Sequence, residues 1–230
     1  MTEKQRTRIG SRQWRIWIDP QSVVWYRQHP FRNPTKKNAD YSGLSGWVTK
    51  KYYHVQRRRR FIGGTWDEAV ERFEEHGSYQ RLQSLWASLP DYQESAWYQE
   101  VLEDIASRGG HTHKGHRVTS ESEAQELFEG SLIPMLYSFR DEGYREQEGE
   151  EVPRAMIGRG GRLVKISIGR HRLAAAQITG SPGAFPLRIV AIHRDVLKEQ
   201  RRGGARSRRQ AIERCLEQVQ EACAPGGESR

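Results

Sequence analysis

Charge is not spread evenly along this chain but sorted into blocks. Residues 1–60 hold 15 Lys/Arg against 3 Asp/Glu, whereas residues 61–151 hold 7 against 20. Basic and acidic blocks of that size can neutralise each other within one fold, so the net charge of +9 does not by itself demand a polyanionic partner. The second basic block differs. Residues 152–195 carry 8 Lys/Arg opposed locally by Asp195 alone, and residues 196–230 add 8 against 5.

With 230 residues, 35% hydrophobic and 10% aromatic, the chain can bury a sizeable core, which argues against wholesale disorder. No stretch approaches the roughly 18 consecutive apolar residues of a membrane helix, and the polar opening Met1 to Arg8 lacks the apolar centre of a signal peptide. The expectation is a soluble cytoplasmic protein with no membrane partner. Cys215 and Cys223 lie eight residues apart in a helical-looking segment, about 12 Å along its axis, too far to pair there. Nothing else in the sequence matches zinc-ligand spacing with them.

Three regions follow from the punctuation of the chain. Residues 1–120 form an aromatic-rich N-terminal region, with short strands over 1–62 and helices over 65–107. Trp14, Ile16 and Ile18 alternate with Arg15 and Trp17, and Trp47 to Val55 is a second β-prone run. Thr65-Trp66-Asp67-Glu68 has capping-box form and predicts a helix to about Glu75. Further helices are expected over Tyr79 to Leu89, with Ser78 as cap, and over Tyr92 to Ser107. His111 to His116 reads as a linker. In residues 121–195, Ser120 caps a short helix, Gly130 separates it from one containing Met135 to Glu142, and Gly143 stops that one. A hairpin is expected over Val152 to Ile157 and Leu163 to Ile168, then an alanine-rich helix from Arg170 and an apolar strand over Pro186 to Ile192. Residues 196–230 read as a basic helix, broken at Gly203-Gly204, with a loose tail. The fold class is α+β.

The chemistry concentrates where a strand delivers Gly169 into a helix whose first turn bears Arg170, His171 and Arg172. Free amides and the positive helix end favour an anion, glycine lets the backbone approach it, and guanidinium forks bind phosphate oxygens bidentately. The same basic helix start could instead pair with the acidic middle segment.

At these residues the sequence resembles the ParB/sulfiredoxin superfamily, in particular ParB N-terminal-like (ParB-like nuclease) domains. The counterparts run in order: Leu136-Tyr137-Ser138-Phe139 through Gly143, Met156 to Leu163, Gly169-Arg170-His171-Arg172-Leu173-Ala174-Ala175, and Phe185 to Val190. They cover residues 121–195, about a third of the chain. Ile16-Trp17-Ile18-Asp19-Pro20 and Gly63-Gly64-Thr65-Trp66-Asp67 further resemble segments of uncharacterised prokaryotic ParB-like proteins. The resemblance implies a ParB/sulfiredoxin-like domain binding a nucleoside triphosphate with Mg2+, with Gly169, His171 and Arg172 at phosphate-holding positions and Gln147 in a loop near the nucleotide. Arg170 departs from the pattern. It stands where partition ParB has an acidic residue and sulfiredoxin a cysteine, which removes the sulfiredoxin thiolate and a carboxylate that could help place magnesium. The 35 residues after the motif domain do not read as a helix-turn-helix DNA reader.

Other residues enter as candidates. His193, at the end of the last strand, could line the same cleft. Glu148, Glu150 and Glu151 could face the phosphate motif, or form a solvated charge run. His111, His113 and His116 could seat a metal, or lie in a solvated loop. Arg57, Arg58, Arg59 and Arg60, following an aromatic-rich stretch, suit a nucleic-acid backbone or the rim of an aromatic core. Three functions therefore stand: nucleotide or phosphorylated-ligand binding, leaving triphosphatase or nuclease activity open; a DNA-binding or ParB-like nuclease protein; and a degenerate interaction scaffold.

Overall fold

The alternation of Trp14, Ile16 and Ile18 produces strand β1 (Trp14–Ile18), which buries those three side chains and leaves Arg15 and Trp17 partly exposed. A computed structural model describes residues 14–27, 60–113, 115–146 and 149–226 of the chain. The β-prone run Trp47 to Val55, Arg57, Arg58, Arg59, Gln147 and Glu148 lie outside the described residues.

Within them the protein is a mixed α+β structure built on a seven-stranded sheet. The strands are β1, β2 (Trp25–Tyr26), β3 (Phe61–Ile62), β4 (Glu71–Arg72), β7 (Arg154–Ile157), β8 (Leu163–Lys165) and β9 (Phe185–His193). Their order is β1-β9-β7-β8-β2-β4, with β3 pairing the far end of β9. The expected hairpin is present as the antiparallel pair β7 and β8, while β9 runs parallel to β7 and antiparallel to β1. Because β1 joins β9 and β2 joins β8, the sheet is shared across the boundary expected at residue 120. Successive residues of β7 and β8 supply two apolar clusters. Ala155, Ile157 and Leu163 belong to the main core, and Met156 and Val164 pack with Ile62, Trp66 and Ala191 in a smaller one.

Seven α-helices are described: α1 (Gly77–Ala87), α2 (Ala96–Arg108), α3 (Glu121–Leu127), α4 (Ile133–Glu142), α5 (Arg170–Ile178), α6 (Arg194–Arg202) and α7 (Arg208–Ala222). A π-helical turn, Phe128–Leu132, joins α3 to α4 at Gly130, and Gly143 ends α4. Ser120 caps α3 as expected, its hydroxyl accepting the Glu123 amide. The Gly203-Gly204 break lies between α6 and α7, and α7 sends Ala211, Cys215, Leu216 and Val219 into the core. No described helix is long and apolar enough to cross a membrane.

Local signals failed at three places. The expected helix over 65–75 is absent: this stretch forms turns, then β4 and a 3-10 turn, Phe73–Glu75. Asp67 is drawn away from helix formation by Arg159, whose backbone amide (2.7 Å) and guanidinium (2.6 Å) it accepts, while Trp66 enters the smaller cluster. Helix α1 is capped by His76, whose Nδ1 accepts the Ser78 amide, so Ser78 lies inside the helix. His111 to His116 is a hairpin, β5 (His111–His113) and β6 (His116–Val118), instead of a linker, anchored by His111 Nδ1 against Asp104 at 2.8 Å.

Asp67, 4% exposed, ties two segments 92 residues apart. Burial alone would raise its pKa, but the hydrogen bonds from Arg159 outweigh it and hold the carboxyl at about 2. A carboxyl depressed in the folded state stabilises fully above its unfolded pKa near 4, and this contribution fades as pH falls toward 2. Asp67→Asn should lower stability by about 2 kcal/mol at pH 7, below the usual cost of breaking a buried pair because Arg159 reaches solvent. In urea denaturation the gap between variant and wild type should close between pH 4 and pH 2.

Candidate functional site

Strand β8 ends at Lys165, whose side chain is fully buried. Its Nζ donates to the carbonyl of Arg154 at 3.1 Å and to those of Ile166 and Ile168. Three backbone carbonyls thus surround one amino nitrogen. Burial, then Arg170, Arg172 and Arg154, push this amine's pKa well below its ordinary value. The lysine thereby pins the loop that delivers Gly169 to the start of α5.

Gly169 occupies the left-handed region (φ 77°, ψ 26°) as the residue preceding that helix. A Cβ there would stand 2.6 Å from Pro153 Cβ and 2.7 Å from Pro153 Cα, so both the conformation and the space require glycine. No side chain caps α5, and no acidic residue lies in its first turn. Leu173, Ala174, Ala175 and Ala176 are fully buried and seat the helix closely on its neighbours. Cations at a positive helix end are locally unfavourable, which an anion would reverse.

The first turn opens onto a cleft of about 810 Å3, faced across by Gly130 and Ser131 of the π-helical turn and Ser138 of α4. Arg145 and Glu150 also line it. Arg172 is committed within the protein: it pairs with Glu150 at 2.7 Å, reaches Tyr144 Oη at 3.4 Å, and donates to the Glu151 carbonyl. Arg145 pairs with Glu142 at 2.9 Å. Arg170 has no carboxylate partner among the described residues. Its Nη1 donates to Tyr26 Oη at 3.1 Å and lies 2.9 Å from His76 Nε2. The His171 ring lies parallel to that of Trp97, centroids 6.4 Å apart, with His113 at 5.5 Å. His76 is held near pKa 4, by burial first and then by Arg170, Arg81 and Lys165, so its ring is neutral at pH 7.

Gly169, Arg170, His171 and Arg172 thus stand together in one cleft, with Glu150 beside them. His193 does not join them. It is 1% exposed, faces the Gly64 carbonyl through Nε2 (2.8 Å), and caps α6 by accepting the Asp195 amide at Nδ1. Register explains the separation: the cleft lies at the Arg154 end of β7, whereas His193 follows Ile192, the partner of Ile157 at the other end. Gln147 lies outside the described residues. Arg60 stacks on Trp14 at 5.0 Å, away from the cleft. No group of three or more His, Cys, Asp or Glu among the described residues converges on a metal position. Both cysteines are free thiols, Cys215 pushed up to about 12 by burial.

Sequence reasoning missed Lys165, Tyr26, His76 and Arg145. The parallel pairing of β2 with β8 sets Tyr26 beside Lys165, and helix packing brings in His76 from 94 residues away; neither leaves a local signature.

Comparison of the chain with protein-family models, with curated proteins and with solved structures finds no match.

Gly169→Ala should destabilise the protein by about 1–3 kcal/mol in urea denaturation, because the new methyl meets backbone at a positive φ. Gly180→Ala, also at positive φ but with open space around it, separates conformational strain from the clash and should cost less.

Proposed function

We propose that this protein binds a nucleotide, or another phosphorylated ligand, at the N-terminus of α5. The observation that carries the reading is an uncapped helix start bearing Arg170, His171 and Arg172 that opens into a cleft large enough for such a ligand. Phosphate oxygens would accept from the first-turn amides, with the Gly169 backbone close by. Arg170, lacking a carboxylate, supplies the available guanidinium, and Arg172 would exchange Glu150 for phosphate. The resemblance to ParB/sulfiredoxin-like domains supports the same assignment, since the α4, hairpin, α5 and β9 elements follow in the order it implies.

Among the described residues, the Mg2+ that the resemblance implies does not find a protein donor set. Glu150 is the one carboxylate lining the cleft among the described residues, and it is paired with Arg172. No reaction step is assigned through a metal, and hydrolysis is not part of the proposal.

Nucleic-acid backbone binding is the second reading, favoured by a separate observation. The first turn of α7 carries Arg208 and Arg209 with no acidic residue, against its own dipole. Arg208 lies 4.0 Å over Phe61, the residue that follows the run Arg57 to Arg60.

A thermal-shift screen against ATP, CTP, GTP, UTP and a short DNA duplex, each with and without Mg2+, tests these readings. Stabilisation by a triphosphate that Arg170→Ala abolishes and Arg172→Ala weakens at least about tenfold in affinity is the expected result. Full affinity in both variants would sink the α5 assignment. A salt-sensitive shift with DNA alone moves the function to the arginine face.

A further inference from the structure

Arg170 lines two clefts. Besides the α5 cleft it lines a second one, of about 530 Å3, with His76, Ser78, Arg81, Trp97 and Glu100 among others. Glu100 and Arg81 neutralise each other there, with Arg81 Nε donating to Glu100 at 2.7 Å. The formal charge of this lobe is therefore left to Arg170.

One feature of the lobe points to a ligand. His76 Nδ1 accepts the Ser78 amide at 3.1 Å, so the proton of the neutral ring sits on Nε2, which stands 2.9 Å from a guanidinium nitrogen of Arg170. Two N–H donors thus face each other with no acceptor between them. The alternative tautomer merely transfers the conflict to the Ser78 amide. Donors at the starts of α1 and α5 meet here, and an oxyanion set against His76 and Arg170 would accept from both.

We propose that the two clefts are the lobes of one site, that His76 and Arg170 hold a second anionic group of the ligand, and that the ligand is a polyphosphate ester or nucleoside polyphosphate. This rests on the phosphate reading of the α5 cleft and extends it by a subsite outside the motif. One phosphate lies at the start of α5, and the next lies across Arg170 against His76. A monophosphate fills only the first lobe.

Titration calorimetry with orthophosphate, pyrophosphate, tripolyphosphate and each nucleoside mono-, di- and triphosphate tests this on wild type, His76→Asn and Arg170→Ala. Asparagine is a strong helix N-cap, so His76→Asn keeps α1 capped while removing the ring N–H; His76→Ala repeats the measurement without the cap. Wild type should bind the longer phosphates at least about tenfold tighter than the monophosphate species. His76→Asn should keep monophosphate affinity and lose that increment, and Arg170→Ala should weaken both. An undiminished increment in both His76 variants overturns the two-lobed site while leaving the α5 reading standing, as does a wild type that binds monophosphates as tightly as polyphosphates. Absence of binding of every phosphate species by the wild type overturns both.

Discussion

The buried amino group of Lys165 holds together the part of the molecule on which the candidate site depends. It gathers carbonyls from Arg154 on β7 and from Ile166 and Ile168 in the following loop. A buried amino group is tolerable when its N–H bonds have acceptors, and here the acceptors are backbone carbonyls of β7 and of the strand-to-helix passage. The loop is closed from the other side by the Arg154 amide, which donates to Ile168 at 3.1 Å. Gly169 then has one position open to it, against Pro153, and α5 starts with its amides facing the cleft.

Ion pairs across the charge blocks organise the rest. Arg15 joins Glu146, Arg159 joins Asp67 and Glu68, Arg154 joins Glu151, and Arg172 joins Glu150. Most of these are partly exposed and individually weak; all but Arg154–Glu151, three residues apart, join distant segments. Asp67 with Arg159 is the exception in burial. Against this background Arg170 stands out: it lies among the basic residues of the second block, donates to a phenol and abuts a neutral imidazole. The pairing of a basic helix start with acidic residues is thus realised at Arg172 and not at Arg170, which is why the two arginines are assigned different roles.

The sheet shows why local reading reaches some elements and misses others. Strand β1, the β7 and β8 hairpin, β9 and the α3 cap were legible because alternation, turn glycines and a serine cap act within a few residues. The capping-box form at Thr65 was equally clear, yet Asp67 gains more from a guanidinium and an amide 92 residues away than from the first turn of a helix. The histidine hairpin was missed because its anchor, Asp104, lies on α2. His193 sat one residue past an apolar strand, where either end of the sheet was open to it; the register of β7 with β9 placed it opposite the cleft.

The sequence by itself determined the α+β class and a glycine followed by three cationic side chains at a helix start, because backbone preference and helix electrostatics operate over a single turn. Only the tertiary structure decided that Arg172 meets Glu150, that Arg170 meets Tyr26 and His76, and that Lys165 lies beneath them. Those outcomes follow from strand register and helix packing, which bring side chains together by distance in space and leave no periodic trace along the chain.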